Sequence, residues 1–287
     1  MVGDSLGLPY EGLPAGRNLQ LMPFPLRQRI FFGRGFTSDD TLQSAMVLSA
    51  LSECEGEVDR FVTLFGRSLR LWFLSLPPGI GLSTAKACLK LCAGVNPTRP
   101  GVKSEGNGAA MRSAVIGAAL CEDQASRVRF LEACARVTHS SDRAIEGAQL
   151  IALAASLSAT GEVEHFVTRS RELCPAWPFD AGWPDRGPSG WVVHSVNAAL
   201  RIWREFGSDP SRAMEETIRL GGDTDTVAAM VGGIIGASPM TVWPGEWLKV
   251  WGWNDGRLSY GRMLGQHAVQ LPVILGYGFR RLLPPYR

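Results

Sequence analysis

The sequence predicts an all-α fold: a single compact, multi-helix domain over residues 1–287. Three observations carry this reading. Apolar residues recur at steps of three and four and do not alternate, which is the period of a helix face. With 287 residues, 45% hydrophobic and 20% charged, the chain can bury a sizeable core. No charge run, low-complexity stretch or internal repeat marks a linker between domains.

The first helical stripe is Leu42, Met46, Val47, Ala50 and Leu51; a second is Ala144, Ala148, Ala152 and Ala155. A third, Val227, Val231, Ile234 and Ile235, opens near Thr226. Each stripe sits just downstream of a polar cluster, so helix N-termini are expected to converge on polar loops. The third helix also carries Ala229, Gly233 and Ala237 at four-residue spacing, with Gly232 and Gly236 beside them. Glycine costs about 1 kcal/mol of helix propensity relative to alanine, so this helix is expected to be central, with neighbours at close backbone approach. Its apolar run from Val227 to Trp243 falls short of the ~18 residues a membrane span needs and contains Ser238 and Pro239, so it reads as a buried helix. Trp243, Trp247 and Trp251 repeat every four residues and predict one face of a further helix which, with Trp253, packs the C-terminal region. Pro/Gly-bearing loops are expected at Pro77 to Gly81, Asn96 to Gly108 and Pro175 to Gly190.

Charge and cysteine usage exclude several function classes. Lys and Arg total 29 against 27 Asp and Glu, a net charge of +2, which leaves no footprint for nucleic acid or an anionic membrane. Met1 to Leu13 lacks a basic segment followed by an apolar one, so no secretory signal is read and a cytoplasmic, monomeric protein is expected. The six cysteines form no CxxC pair, which predicts reduced, mostly buried thiols. The four histidines show no HExxH or other paired spacing that would announce zinc.

Chemistry concentrates in three segments where acids stand beside hydroxyls at helix starts: Gly3-Asp4-Ser5-Leu6-Gly7 leading to Glu11, Ser38-Asp39-Asp40-Thr41, and Gly221-Gly222-Asp223-Thr224-Asp225-Thr226. Ser, Thr and Asp are preferred N-caps, so any one segment could be plain capping. The third strains that reading, because two acids alternate with two threonines where one cap needs one side chain. Carboxylate and hydroxyl oxygens are hard ligands and select magnesium or manganese over zinc. If Asp39, Asp40, Asp223 and Asp225 met in one cleft, their charges would repel unless neutralised, and two divalent cations would balance them.

These segments, taken with two more, resemble the ADP-ribosylglycohydrolase family, whose helical domain holds two metal ions between N-terminal and C-terminal Asp motifs. The family's opening Gly-Asp-x-x-Gly with a following Glu is matched by Gly3, Asp4, Gly7 and Glu11, and its Thr-Asp-Asp-Thr by Ser38, Asp39, Asp40 and Thr41. Its Gly-Asn-Gly-x-x-Met-Arg loop is matched by Gly106, Asn107, Gly108, Met111 and Arg112, and its Thr-His by Thr138 and His139. Its closing Gly-Gly-Asp-x-Asp-Thr is matched by Gly221, Gly222, Asp223, Asp225 and Thr226. The resemblance implies a two-metal cleft with ligands at Ser38, Asp39, Asp40, Asp223, Asp225 and Thr226, and Glu11 near the metals. Ser38 departs from the usual Thr but keeps the ligating hydroxyl. Only Met1 and Val2 precede Gly3, where the family has most of a helix, so a shortened start is expected.

On the substrate side, Gly106-Asn107-Gly108 is a tight turn by composition. The resemblance implies that it approaches the distal ribose and diphosphate, with Asn107, Gly108, Ala109 and Met111 as binding residues. His139 stands just before the candidate caps Ser140 and Ser141; alone it could be structural, and by resemblance it is a diphosphate donor at a helix start. Trp191 could be core like most of the nine tryptophans, or by resemblance lie beside the nucleotide. The implied activity is metal-dependent hydrolysis of the N- or O-glycosidic bond between ADP-ribose and an acceptor, a modified protein side chain or a small molecule. Glu11, Asp39, Asp40 and Asp225 are the candidates for handling the proton. The competing readings are a non-catalytic ADP-ribose-binding or structural protein of the same fold, against which the intact aspartates argue, and a hydrolase of another nucleotide or sugar conjugate.

Overall fold

In a computed structural model, residues 1–30, 33–77 and 79–251 are described, and among them no strand forms; the only β pairings are isolated bridges. The helices are α1 (Val2–Gly7), α2 (Ala15–Leu21), α3 (Asp39–Glu53), α4 (Val58–Leu74), α5 (Leu82–Cys92) and α6 (Ala114–Ala119). They continue with α7 (Gln124–Arg136), α8 (Asp142–Thr160), α9 (Phe166–Leu173), α10 (Val192–Phe206), α11 (Pro210–Leu220) and α12 (Thr224–Gly236). The all-α expectation is borne out.

The glycine-rich helix is central, as its composition predicts: α12 packs on α1, α8, α10 and α11. The close approach is made from both sides. A Cβ on Gly3 would lie 1.8 Å from the Ala228 carbonyl oxygen, and one on Gly7 2.6 Å from that of Thr224, so α1 can reach α12 only because these residues have no side chain. Buried residues fall into two apolar clusters. One gathers α1, α10, α11 and α12; the other gathers α3, α4, α5 and α7, with Phe61, Phe65, Leu69 and Trp72 fully buried. Each such side chain stabilises the fold by about 1.5–3 kcal/mol. Helix α8 serves both, giving Ile145, Ala148 and Ala152 to the second cluster and Leu150, Ile151 and Ala154 to the first. The N-termini of α3 and α12 thus belong to different cores and meet on the seam between them.

Two expectations fail at the C-terminal end. Helix α12 stops at Gly236 and does not run on to Trp243, and only a short 3-10 turn, Gly245–Leu248, follows among the described residues. Pro239 and Pro244 prevent an α-helix here, since each lacks an amide proton and crowds the preceding turn. The three tryptophans therefore do not share a helical face. Trp247 is buried and donates Nε1–H to the Leu26 carbonyl at 2.9 Å, whereas Trp251 stacks on Phe36 with ring centres 6.2 Å apart. Trp253 and His267 lie outside the described residues. All six cysteines are free thiols; Cys54, Cys88, Cys134 and Cys174 are buried, Cys121 is half-buried and Cys92 is exposed. No described helix is long and apolar enough to cross a membrane.

Candidate active site

The first wall of the site is the start of α3. Ser38 is its N-cap: the hydroxyl accepts from the Asp40 amide at 3.2 Å and donates to Asp40 Oδ2 at 2.7 Å. Asp4, fully buried on α1, reaches the same helix end. Its carboxylate accepts from the Ser38 amide at 2.9 Å, the Thr41 amide at 3.2 Å and the Thr41 hydroxyl at 2.5 Å. An anion is favourable there because the amides of a first helical turn have no partner within the helix. Asp39 Oδ2 accepts from Gln43 Nε2 at 3.0 Å, one turn on along the same helix.

The second wall is the start of α12. Gly221 and Gly222 adopt φ of 72° and 70°, the left-handed region, and a Cβ on Gly222 would lie 2.1 Å from the Pro188 carbonyl oxygen. The turn is pinned by Gly12 N–H donating to Gly222 O at 2.7 Å, Gly222 N–H to Leu13 O at 2.9 Å and Asp223 N–H to Pro188 O at 2.8 Å. Asp223 occupies the N-cap position without capping; its Oδ2 instead accepts from Asn107 Nδ2 at 2.7 Å. The Thr226 hydroxyl reaches across to Asp40 Oδ2 at 3.4 Å, joining α12 to α3.

Between the walls, Asp4, Asp40 and Asp225 each place a carboxylate oxygen within 4.8 Å of the others, and all three are buried. Asp40 Oδ1 and Asp225 Oδ1 have no hydrogen-bond partner. Burial pushes both carboxyls well above the usual range, reinforced at Asp40 by Asp4 and Asp39 and at Asp225 by Glu11, Asp40 and Asp223. Asp39 is pushed up to about 7 by burial, then by Asp4, Glu11 and Asp223. Asp223 is raised by burial, with the Asn107 hydrogen bond opposing. Glu11 closes the 3-10 turn Leu8–Tyr10 and is exposed, yet its charge is felt at Asp39 and Asp225. Unpartnered buried oxygens in a field of mutually repelling acids, all hard donors, fit a divalent cation of the magnesium or manganese type.

The Gly106-Asn107-Gly108 loop lies beside this cluster, held by Asn107 N–H donating to Gly190 O at 3.0 Å and Val192 N–H to Glu105 O at 2.9 Å. Ala109 and Met111 are buried beneath it. His139 is 2% exposed and supports the loop from inside: a Cβ on Gly108 would lie 2.8 Å from its Cε1. Its Nδ1 pairs with the Thr138 hydroxyl at 2.8 Å, and burial, then the Arg112 charge, pushes its pKa down to about 3, so the imidazole is neutral. Ser141 is the N-cap of α8, without a side-chain cap bond. Trp191 stands at the rim, 39% exposed, with Nε1–H on Glu105 Oε2 at 2.8 Å and the His194 ring edge-on at 4.7 Å.

The structure therefore brings the acidic segments and the Gly106 loop together, with Ser38 and Thr226 bonded to Asp40 and Asn107 bonded to Asp223. In the sequence, Asp4 and Arg112 are motif positions without a role of their own, and nothing marks Gln43 or Glu105. Asp4 had one available signal, an acid between Gly3 and Leu6 on a short, otherwise small and apolar helix. Gln43 had none, since one glutamine on a helix face is ordinary.

Fold and site together define a helical scaffold with a buried cluster of oxygen donors between two helix starts, and the family match fits it. The sequence profile described as ADP-ribosylglycohydrolase covers residues 1–253, and the chain belongs to that family, whose members hydrolyse glycosidic bonds of ADP-ribose. An uncharacterized protein of Archaeoglobus fulgidus is 30% identical over 273 residues, covering 86% of this chain and 87% of its own. The uncharacterized protein YegU of Escherichia coli is 27% identical over 283 residues, 82% and 84% of the two chains. Among solved structures, an "ADP-ribosylglycohydrolase-related protein complex" superposes with a TM-score of 0.66 at 25% identity, over 93% of each chain.

Proposed function

We propose that this protein is a metal-dependent ADP-ribosyl hydrolase that cleaves the N- or O-glycosidic bond between ADP-ribose and an acceptor. The observation that carries the reading is the pair of buried, unpartnered oxygens, Asp40 Oδ1 and Asp225 Oδ1, beside the Gly106-Asn107-Gly108 loop of a family member. Asp39, Asp40, Asp223 and Asp225, with the hydroxyls of Ser38 and Thr226, would hold two magnesium or manganese ions, and Asp4 stands within reach of the same centre. When bound, such ions orient ribose hydroxyls, lower the pKa of a water and offset charge as the anomeric bond breaks.

The chain's own residues supply the rest. Asp4 clamps the start of α3, fixing where Asp39 and Asp40 stand. Asn107 ties the loop to Asp223, so the nucleotide side keeps register with the acids. Gly108, Ala109, Met111 and His139 shape the floor for the diphosphate and ribose, and Trp191 offers an exposed ring at the rim for the nucleotide. Among the four proton-handling candidates, Asp39, Asp40 and Asp225 would serve as ligands, which leaves exposed Glu11 to accept the proton of the attacking water. The acceptor is an ADP-ribosylated protein side chain or a small ADP-ribose conjugate.

The test is release of ADP-ribose from ADP-ribosylated arginine, ADP-ribosylated serine and small conjugates, with magnesium, with manganese and in EDTA. Metal-dependent release from one of them supports the reading. Tight ADP-ribose binding with no turnover on any would favour a non-catalytic binder, and turnover only of other nucleotide conjugates would move the substrate class.

A further inference from the structure

We propose that buried Arg112 positions both halves of the site through two neutral relays, Gln43 toward Asp39 and Thr138 toward His139; this rests on the site reading above. Arg112 is fully buried, and no acidic group forms an ion pair with it among the described residues. Its Nη1 donates to Gln43 Oε1 at 2.8 Å and to the Gly108 carbonyl at 2.6 Å. Its Nη2 donates to the Cys134 carbonyl at 3.1 Å and to the Thr138 hydroxyl at 2.6 Å, and the guanidinium lies 5.2 Å from the Phe65 ring centre.

The direction of every bond follows from one fact: a guanidinium only donates. The Gln43 carbonyl oxygen is therefore committed to Arg112, so its amino group must face Asp39, to whose Oδ2 it donates at 3.0 Å. The Thr138 oxygen accepts from Arg112, which leaves its proton for His139 Nδ1 at 2.8 Å. That bond puts the imidazole proton on Nε2, the nitrogen nearest a Cβ built on Gly106, 3.4 Å away. One buried cation thus sets Asp39 as an oriented acceptor on the metal side and His139 as a donor toward the loop on the nucleotide side. Gln43 and Thr138 are positioning residues, acting through Asp39 and His139.

The test uses Gln43→Met, Gln43→Glu and Thr138→Val, with manganese affinity by calorimetry and the His139 tautomer by nitrogen-15 NMR. Gln43→Glu keeps an acceptor for Arg112 but turns a second carboxylate toward Asp39. A merely structural glutamine would tolerate it, whereas the relay requires that both Gln43 variants lose about 10–100-fold in manganese affinity, the usual cost of an outer partner of a ligand. Thr138→Val should keep manganese affinity and lose the Nε2–H signature that the unaltered protein shows. Melting in EDTA separates folding from binding. Unchanged manganese affinity in folded Gln43→Glu, an Nδ1–H tautomer in the unaltered protein, or failure of all three variants to fold would each overturn the proposal. If the unaltered protein binds no manganese, the functional reading fails while the tautomer still decides the Thr138 relay.

Discussion

Two buried charged groupings border α3, one at Gln43 and one at Asp40, and are satisfied in opposite ways. Arg112 spends both terminal nitrogens on four acceptors and leaves only Nε without a partner. The Asp4, Asp40 and Asp225 cluster holds like charges within 4.8 Å and leaves an oxygen unpartnered on both Asp40 and Asp225. Burying charge without compensation is costly, so the first arrangement is complete in itself and the second suits a cation. The comparison teaches that burial alone does not mark function; unpartnered oxygens gathered among like charges do.

The sharpest break is Arg112→Met. It strands Gln43 Oε1, Thr138 and two carbonyls, and should destabilise the protein by more than about 3 kcal/mol in urea unfolding, with or without manganese. Asp225→Ala should do the opposite. It removes a repelled buried charge, so stability in EDTA should hold or rise by about 1 kcal/mol, while turnover falls by more than about a hundredfold. A large loss of stability in EDTA for Asp225→Ala would erase the contrast.

The pH dependence sharpens it further. An acid whose folded pKa is raised contributes stability that is full below its ordinary value of about 4 and is lost as pH rises through the folded value. For Asp39 that value is about 7, and Asp40 and Asp225 are raised in the same direction. Metal-free protein should therefore lose stability as pH rises from about 4 to about 7, and manganese should raise the melting temperature more at about pH 8 than at about pH 5.5. His139 runs the other way: with its pKa down at about 3, it costs stability as pH falls below about 6.5. His139→Gln should then steepen the gain toward acid pH. Equal manganese shifts at both pH values would contradict the acid-cluster reading.

The smallest expected effect is at the rim. Trp191→Ala should raise KM roughly tenfold, as loss of a stacked base costs about 1–3 kcal/mol, and leave melting in EDTA nearly unchanged because the ring is 39% exposed. An unchanged KM would place Trp191 outside the nucleotide path.

Much of this molecule was legible without coordinates because helix faces, caps and breakers act within a few residues. The alanine stripe of α8, the Ser38 cap of α3 and the glycine-laden centre of α12 all follow from local spacing. Where local signals competed, the stronger chemistry won: Trp243, Trp247 and Trp251 have helical spacing, but Pro239 and Pro244 deny them a helix. What only the tertiary structure decided is which groups meet. Asp4 and Thr41 are 37 residues apart, Asn107 and Asp223 are 116 apart, and Arg112 and Gln43 are 69 apart. No periodicity encodes such pairs, because each depends on segments far apart in the chain arriving at one seam. Whether a buried oxygen ends up partnered or bare is settled only when those cores have packed.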